Sequence, residues 1–75
     1  MYDTQEIVSR IKLELKSRNL KMKDMLNAAD LGINAISQFA KGSQLSCVSL
    51  ALIADYLNCS VDYLLGRTDK PDVNH

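Results

Sequence analysis

The sequence predicts an all-α protein, a compact bundle of five short helices. Three observations support this. Hydrophobic residues make up 47% of the chain but aromatic residues only 5%, so the core must be aliphatic. One proline and three glycines in 75 residues leave most of the chain free to form helix. Apolar residues recur at spacings of three and four, which is the helical period. At this length we expect one domain with little surplus stability.

The first helix is predicted over residues 4–17. An Asp-x-x-Glu capping box begins at Asp3 and marks the start. Ile7, Ile11 and Leu15 recur every four residues, so they form one buried line along the helix.

Four more helices are predicted, over residues 22–29, 33–41, 47–57 and 61–65. Ser46 and Ser60 can cap the last two, whereas Lys21 is a poor cap for the second helix. Each helix is followed by a residue suited to a turn: Asn19, Asp30, Gly42, Asn58 and Gly66. The domain is expected to span residues 1–69, with a short polar tail over 70–75.

Residues 23–41 are the most informative stretch, because they predict two short helices separated by a tight turn. Each has an apolar stripe, formed by Met25, Leu26 and Ala29 in one and by Ile36, Phe39 and Ala40 in the other. Gly32 lies between them and is expected to supply unusual backbone angles. This is the layout of a helix-turn-helix.

The other face of the second of these helices carries Asn34, Ser37, Gln38 and Lys41. A solvated helix face usually carries more charge. Amide side chains are suited to hydrogen bonding with base edges in a major groove, which favours DNA binding. The alternative is that Asn34 and Gln38 are ordinary exposed residues.

Charge is unevenly distributed, although the net charge is zero. Residues 10–41 hold seven basic and three acidic groups, a net +4, and the rest of the chain carries −4. The positive part coincides with the predicted helix-turn-helix, as phosphate contact requires. Ordinary charged helix surfaces are the alternative explanation.

The composition argues against an enzyme, a metal protein or a membrane protein. The single histidine is His75 at the C-terminus, and no Ser-His-Asp set or phosphate-binding glycine loop occurs. Cys47 and Cys59 match no zinc spacing, so no metal or other cofactor is expected, and both are predicted to be reduced and at least partly buried. With no signal peptide and no long apolar run, a cytoplasmic location is expected.

The segments INAISQFAKGS, LALIADYLNCS and SVDYLLGRTD together resemble the phage repressor/Cro family of helix-turn-helix proteins, often called XRE-like. The resemblance covers about residues 7–69. It implies a five-helix domain whose second and third helices bind double-stranded DNA. It also implies a homodimer on a palindromic operator and a role in repressing transcription.

Three positions depart from the family's pattern. Met22 stands where many members have a DNA-contacting glutamine. Ala40 stands where many have a glutamate, and Leu15 is expected at the position of its basic partner. Asp30 replaces a common glycine in the turn, where aspartate tolerates left-handed backbone angles better than most residues.

Candidate contacts with DNA follow from this arrangement. The candidates for base contact are Ile33, Asn34, Ala35 and Gln38, with Ile33 equally able to be a packing residue. The candidates for phosphate contact are Lys21, Lys23, Ser37, Lys41 and Ser43, together with backbone N–H groups near Gly42 and at the start of the second helix.

A dimer surface is expected at the C-terminal end of the domain, formed by Tyr56, Val61, Tyr63 and Leu64, with Leu65 beside them. The alternative is that these residues pack within one chain. The leading hypothesis is thus a transcriptional regulator, most simply a repressor from a bacterium, phage or mobile element. The second hypothesis is an antitoxin or other interaction module whose main partner is a protein, and a regulatory protein partner is compatible with either.

Overall fold

A computed structural model describes residues 3–70. Within them the chain forms five α-helices and no strand: α1 (Thr4–Ser17), α2 (Met22–Ala28), α3 (Ala35–Ala40), α4 (Cys47–Leu57) and α5 (Val61–Leu65). The radius of gyration is 11.2 Å, close to the roughly 11 Å of a compact domain of this length. The all-α, five-helix prediction is confirmed. The tail predicted over residues 70–75 lies, apart from Lys70, outside the described residues.

Three of the five helices begin with a side-chain cap. The Asp3 carboxylate and the Ser46 and Ser60 hydroxyls each accept a hydrogen bond from a backbone N–H two or three residues further on, at 2.8–3.0 Å. These caps satisfy N–H groups that the helix itself leaves unpaired, as predicted. α2 and α3 begin without such a bond, at Lys21 and Asn34.

All five helices end in the same way. Each is followed by a residue in the left-handed region, with φ between 53° and 105°: Asn19, Asp30, Gly42, Asn58 and Gly66. The N–H of the next residue then donates to the carbonyl five positions earlier, at 2.8–3.0 Å. This is the Schellman arrangement, which satisfies carbonyls that would otherwise be unpaired. The predicted stops are therefore all found.

The turn between α2 and α3 differs from the prediction in two respects. Gly32, expected to supply unusual backbone angles, does not adopt a positive φ, and Asp30 alone in this turn takes the left-handed conformation. α3 begins at Ala35, two residues later than predicted, so Ile33 lies in the turn. Ile33 was expected to open the helix, but the turn occupies more of the chain than its composition indicated.

The core receives side chains from every helix. The largest fully buried residues are Ile11, Met25, Ile53, Leu57 and Leu64, and α3 contributes Ile36 and Phe39. The predicted α1 line is buried throughout, since Ile7, Ile11 and Leu15 are at most 5% exposed. Aliphatic burial is thus the main source of stability, as expected for a chain this poor in aromatic residues.

α1 packs against α3 and α5, and α4 packs against α2 and α5. The Thr4 hydroxyl donates to the Ala40 carbonyl at 3.4 Å, so the start of α1 lies beside the end of α3. Leu15 is about 16 Å further along the α1 axis at 1.5 Å per residue. The expectation that Leu15 and Ala40 face each other is therefore wrong.

The longest helix, α1, has 14 residues. No helix within residues 3–70 has the length and apolarity required to cross a membrane.

The turn makes a prediction about stability. A Cβ at Gly32 would meet no atom within 4 Å, so Gly32→Ala should leave the free energy of unfolding unchanged or raise it by up to about 1 kcal/mol. Asp30→Gly should raise it by at most about 1 kcal/mol, because aspartate tolerates the left-handed region better than most residues but glycine adopts it without a steric penalty. Urea denaturation measures both. Gly42→Ala, at φ +105°, is the control and should destabilise the fold.

Candidate nucleic-acid interface

The exposed face of α3 follows from its two buried residues. Ile36 and Phe39 face the core, which turns Ser37 and Gln38 outward. Asn34, Gln38 and Lys41 are all exposed and occur at positions i, i+4 and i+7, so they form one stripe along the helix.

Both amides in this stripe are free to bind a ligand. Asn34 occupies the N-cap position of α3 but its side chain forms no capping bond, and only its backbone carbonyl is used, accepting from the Gln38 N–H at 2.9 Å. The Gln38 side chain forms no hydrogen bond within residues 3–70. Two amides one turn apart thus present their donors and acceptors to solvent.

The other two candidates for base contact are placed differently. Ile33 is 82% exposed, which excludes the alternative that it is a packing residue. Ala35 is half-buried and packs against the core. Of the four candidates, Ile33, Asn34 and Gln38 therefore present most of their side chain to solvent.

The lysines expected to contact phosphate are all exposed. Lys21 and Lys23 are exposed at the start of α2, and Lys41 and Ser43 are exposed just after α3. Within residues 3–70 the ion pairs are Arg18–Glu14 at 3.0 Å and Arg67–Asp62 at 3.7 Å. The three lysines therefore have no carboxylate partner among the described residues.

The backbone near Gly42 is not available to phosphate. The Gly42 N–H donates to the Phe39 carbonyl and the Ser43 N–H donates to the Gln38 carbonyl, each at 3.0 Å. The expectation of free N–H groups there is wrong, because the Schellman closure uses them. The Ser37 hydroxyl donates to the Asn34 carbonyl at 3.0 Å, so it would have to rotate to donate to phosphate.

Most of the expected dimer surface is only partly accessible. Tyr56, Val61 and Tyr63 are half-buried and pack against the core, as does Leu65. Leu64 is completely buried, so its expected place in a dimer interface is wrong. The reason is that α5 packs on both α1 and α4, which enclose the side chain of Leu64.

An exposed apolar stripe on α4 escaped the sequence interpretation. Val48 is 65% exposed and Leu52 is 37% exposed, and Tyr56 continues the same line at a spacing of four. The signal was present, since α4 is apolar on more than one face. Leu50, Ile53 and Leu57 pack in or against the core, while Val48 and Leu52 on the same helix are exposed.

A buried carboxylate at the junction of α1 and α5 was also missed. Glu14 is only 8% exposed and accepts a hydrogen bond from Arg18 Nε at 3.0 Å. Burial raises the pKa of the Cys59 thiol to about 11, with Glu14 adding to the shift and Arg18 opposing it. Burial, followed by the charge of Glu14, also raises the pKa of the Tyr63 phenol.

The two cysteines have different environments. Cys59 is buried as predicted, whereas Cys47 is exposed at the first position of α4, contrary to the expectation of partial burial. Residues 3–70 contain no group of three or more histidine, cysteine, aspartate or glutamate side chains that could hold a metal ion.

Comparison of the chain with protein-family models, with characterised proteins and with solved structures gave no match.

The environment of Cys59 makes stability depend on pH above 9. The folded thiol keeps its proton to about pH 11, whereas the unfolded thiol loses it near its ordinary value of 9.0. The stabilising contribution is therefore complete below pH 9 and is lost as the pH rises to about 11, by at most about 3 kcal/mol. Urea denaturation at pH 7, 9 and 10.5 under reducing conditions measures this loss.

Cys59→Ala should flatten this decline even though it lowers stability at pH 7 by creating a small cavity. Cys47→Ala is the matched control and should keep the decline of the unaltered chain. If the free energy of unfolding declined equally with pH in the two variants, the assignment of the decline to Cys59 would be contradicted.

Proposed function

We propose that this chain is a sequence-specific regulator of transcription that binds double-stranded DNA with α3 in the major groove. The observation that carries the proposal is the pair of free, exposed amides of Asn34 and Gln38, in line with Lys41. An asparagine or glutamine amide can both donate to and accept from adenine, which discriminates between bases by roughly 1–3 kcal/mol per good pair.

The distribution of charge supports the same face. The net +4 of residues 10–41 includes Lys21, Lys23 and Lys41, which are exposed and have no carboxylate partner within residues 3–70. Such lysines are free to neutralise phosphates on either side of the groove. Ile33 offers an exposed apolar side chain that suits a thymine methyl group.

In this proposal α2 and α3 act as a helix-turn-helix, with α2 held on α4 and α3 held on α1. Met22, where the resembling family often has glutamine, is half-buried and packs against the core. α2 would therefore contribute Lys23 to the backbone of DNA rather than a side chain to the bases. Specificity then depends on α3 and the turn before it.

We further propose that the chain acts as a homodimer. A helix of six residues reaches few base pairs, so specific binding favours two copies on a palindromic site with half-sites about 34 Å apart. The proposed dimer surface consists of Tyr56, Val61 and Tyr63, without the buried Leu64. The exposed Val48 and Leu52 on α4 extend it.

Selection from a random duplex library at two salt concentrations tests the function directly. Enrichment of a short palindrome supports a specific regulator and gives the spacing of its half-sites. Binding without an enriched motif, lost uniformly as salt rises, would show charge attraction only and would reject the proposal.

Gln38→Ala should weaken binding to the selected site by about five- to tenfold and relax the preference at one base position, because one amide contact is lost. Fluorescence anisotropy with the selected duplex and its single-base variants measures both effects. Gln44→Ala removes another exposed amide, from the loop after α3, and serves as the control. Identical profiles for the two variants would argue against base contact by Gln38.

Lys41→Ala should weaken binding to all duplexes alike and lower the slope of log K against log salt by about 0.9, the value for one phosphate contact. Lys70→Ala, an exposed lysine after α5, should leave the slope unchanged. A changed base preference with an unchanged slope would contradict the assignment of Lys41 to phosphate.

A further inference from the structure

A groove runs between α1 and α3, and we call it the α1–α3 groove. Its volume is about 420 Å³. Val8, Ile36 and Ala40 line its floor and Gln5 and Ser37 its edges. The start of α1 meets the end of α3, where the Thr4 hydroxyl donates to the Ala40 carbonyl at 3.4 Å. The groove is bordered by these two helices and by Met22 of α2.

The charges around this groove are all positive. Lys12 and Lys41 line it, and no carboxylate does. Neither lysine forms an ion pair within residues 3–70. Lys41 lies at the Thr4 end, while Lys12 is eight residues further along α1, about 12 Å at 1.5 Å per residue. The attachment points of the two lysines are therefore well separated along the groove.

A second groove, between α4 and α5, has the opposite character. Its volume is about 280 Å³, and Asp55 and Asp62 line it without any lysine or arginine. Of these two grooves, the α1–α3 groove is the one that combines an apolar floor with flanking lysines, and this combination defines the chemistry of a complementary ligand.

We propose that the α1–α3 groove binds a short amphipathic helix of a partner protein. The apolar side chains of that helix would pack on Val8, Ile36 and Ala40, as in other helix-in-groove complexes. Two acidic side chains about seven residues apart, roughly 10 Å along the partner helix, would reach Lys12 and Lys41. Lys12 and Lys41 would attract phosphates as well as carboxylates, so the choice of a helix over a nucleic-acid strand rests on the apolar floor, which apolar side chains would cover.

The site has a regulatory consequence that rests on the proposed function. Ile33, Ser37 and Lys41 line the groove and also belong to the face proposed to contact DNA. A partner helix and DNA would therefore compete for these side chains. By linkage, each ligand would lower the affinity of the chain for the other by the same factor. An acidic partner protein would thus release the regulator from its site.

A designed peptide tests the groove without DNA. The probe is a fluorescein-labelled 14-residue helix with two glutamates seven residues apart and leucines between them on the same face. We expect saturable binding to the full chain by anisotropy, with amide shifts in NMR spectra at Gln5, Val8 and Ala40. A peptide of the same composition in scrambled order should bind at least tenfold more weakly. Equal binding of both peptides would overturn the proposal, as would no binding.

Two charge reversals on α1 give the matched comparison. Lys12→Glu, in the groove, should weaken peptide binding about tenfold, since it replaces an attraction by a repulsion. Lys16→Glu makes the same change in charge outside the groove and should alter binding less than twofold. Equal losses of peptide affinity in the two variants would mean that net charge alone attracts the peptide, and would overturn the proposed site.

Competition with the selected duplex separates the two proposals. Peptide binding that is sensitive to Lys12→Glu, in a chain that selects no DNA motif, would support the groove and reject the regulator. Selection of a DNA motif without any peptide binding would support the regulator and reject the groove as a peptide site. If Lys12→Glu weakens DNA binding but leaves the peptide unaffected, the groove contacts DNA instead. If Lys12→Glu abolishes a concentration-dependent self-association of the chain that sedimentation detects, a second copy of the chain fills the groove. Either of the last two results would overturn the partner helix.

Discussion

The fold depends on how its helices end. After each of the five helices one residue takes left-handed backbone angles, and the next N–H closes back on the carbonyl five positions earlier. Such a closure reverses the chain within two or three residues and leaves few carbonyls unpaired. Because α2, α3 and α5 have only five to seven residues, their ends are a large part of their length. Short helices of this kind are marginal in isolation, so closure and core burial must act together.

The closures also decide what the exposed face of α3 can offer. At Gly42 and Ser43 the closure uses the backbone N–H groups, so recognition of an anion there falls to side chains such as Lys41. At the other end the uncapped Asn34 keeps its amide free. The hydrogen bonds that stabilise the end of α3 therefore occupy the backbone N–H groups there, and the side chains of Asn34 and Lys41 remain available to a ligand.

α1 connects the two ends of the domain. Its first half packs on α3 and borders the α1–α3 groove, while its second half carries the buried Glu14 beside Cys59 and Tyr63 near α5. A carboxylate buried beside an arginine is costly to break once formed, although a well-packed apolar replacement can be equally stable. Glu14, paired with Arg18 four residues further on, thus places a charge beside Cys59 and Tyr63, where α5 meets α1.

The sequence by itself determined the helical class, the caps at Asp3, Ser46 and Ser60, the five stops and the buried line of α1. These depend on hydrogen bonds and periodicity within about five residues, so the local sequence carries the information. It also placed the exposed amides of α3, since Ile36 and Phe39 defined the opposite face. Only the tertiary structure decided that Leu64 is buried, that Leu15 does not face Ala40, that Glu14 is enclosed and that a groove with two lysines lies along the contact of α1 with α3. Those outcomes depend on which helices pack together across long stretches of chain, and spacing along one helix does not specify its neighbours.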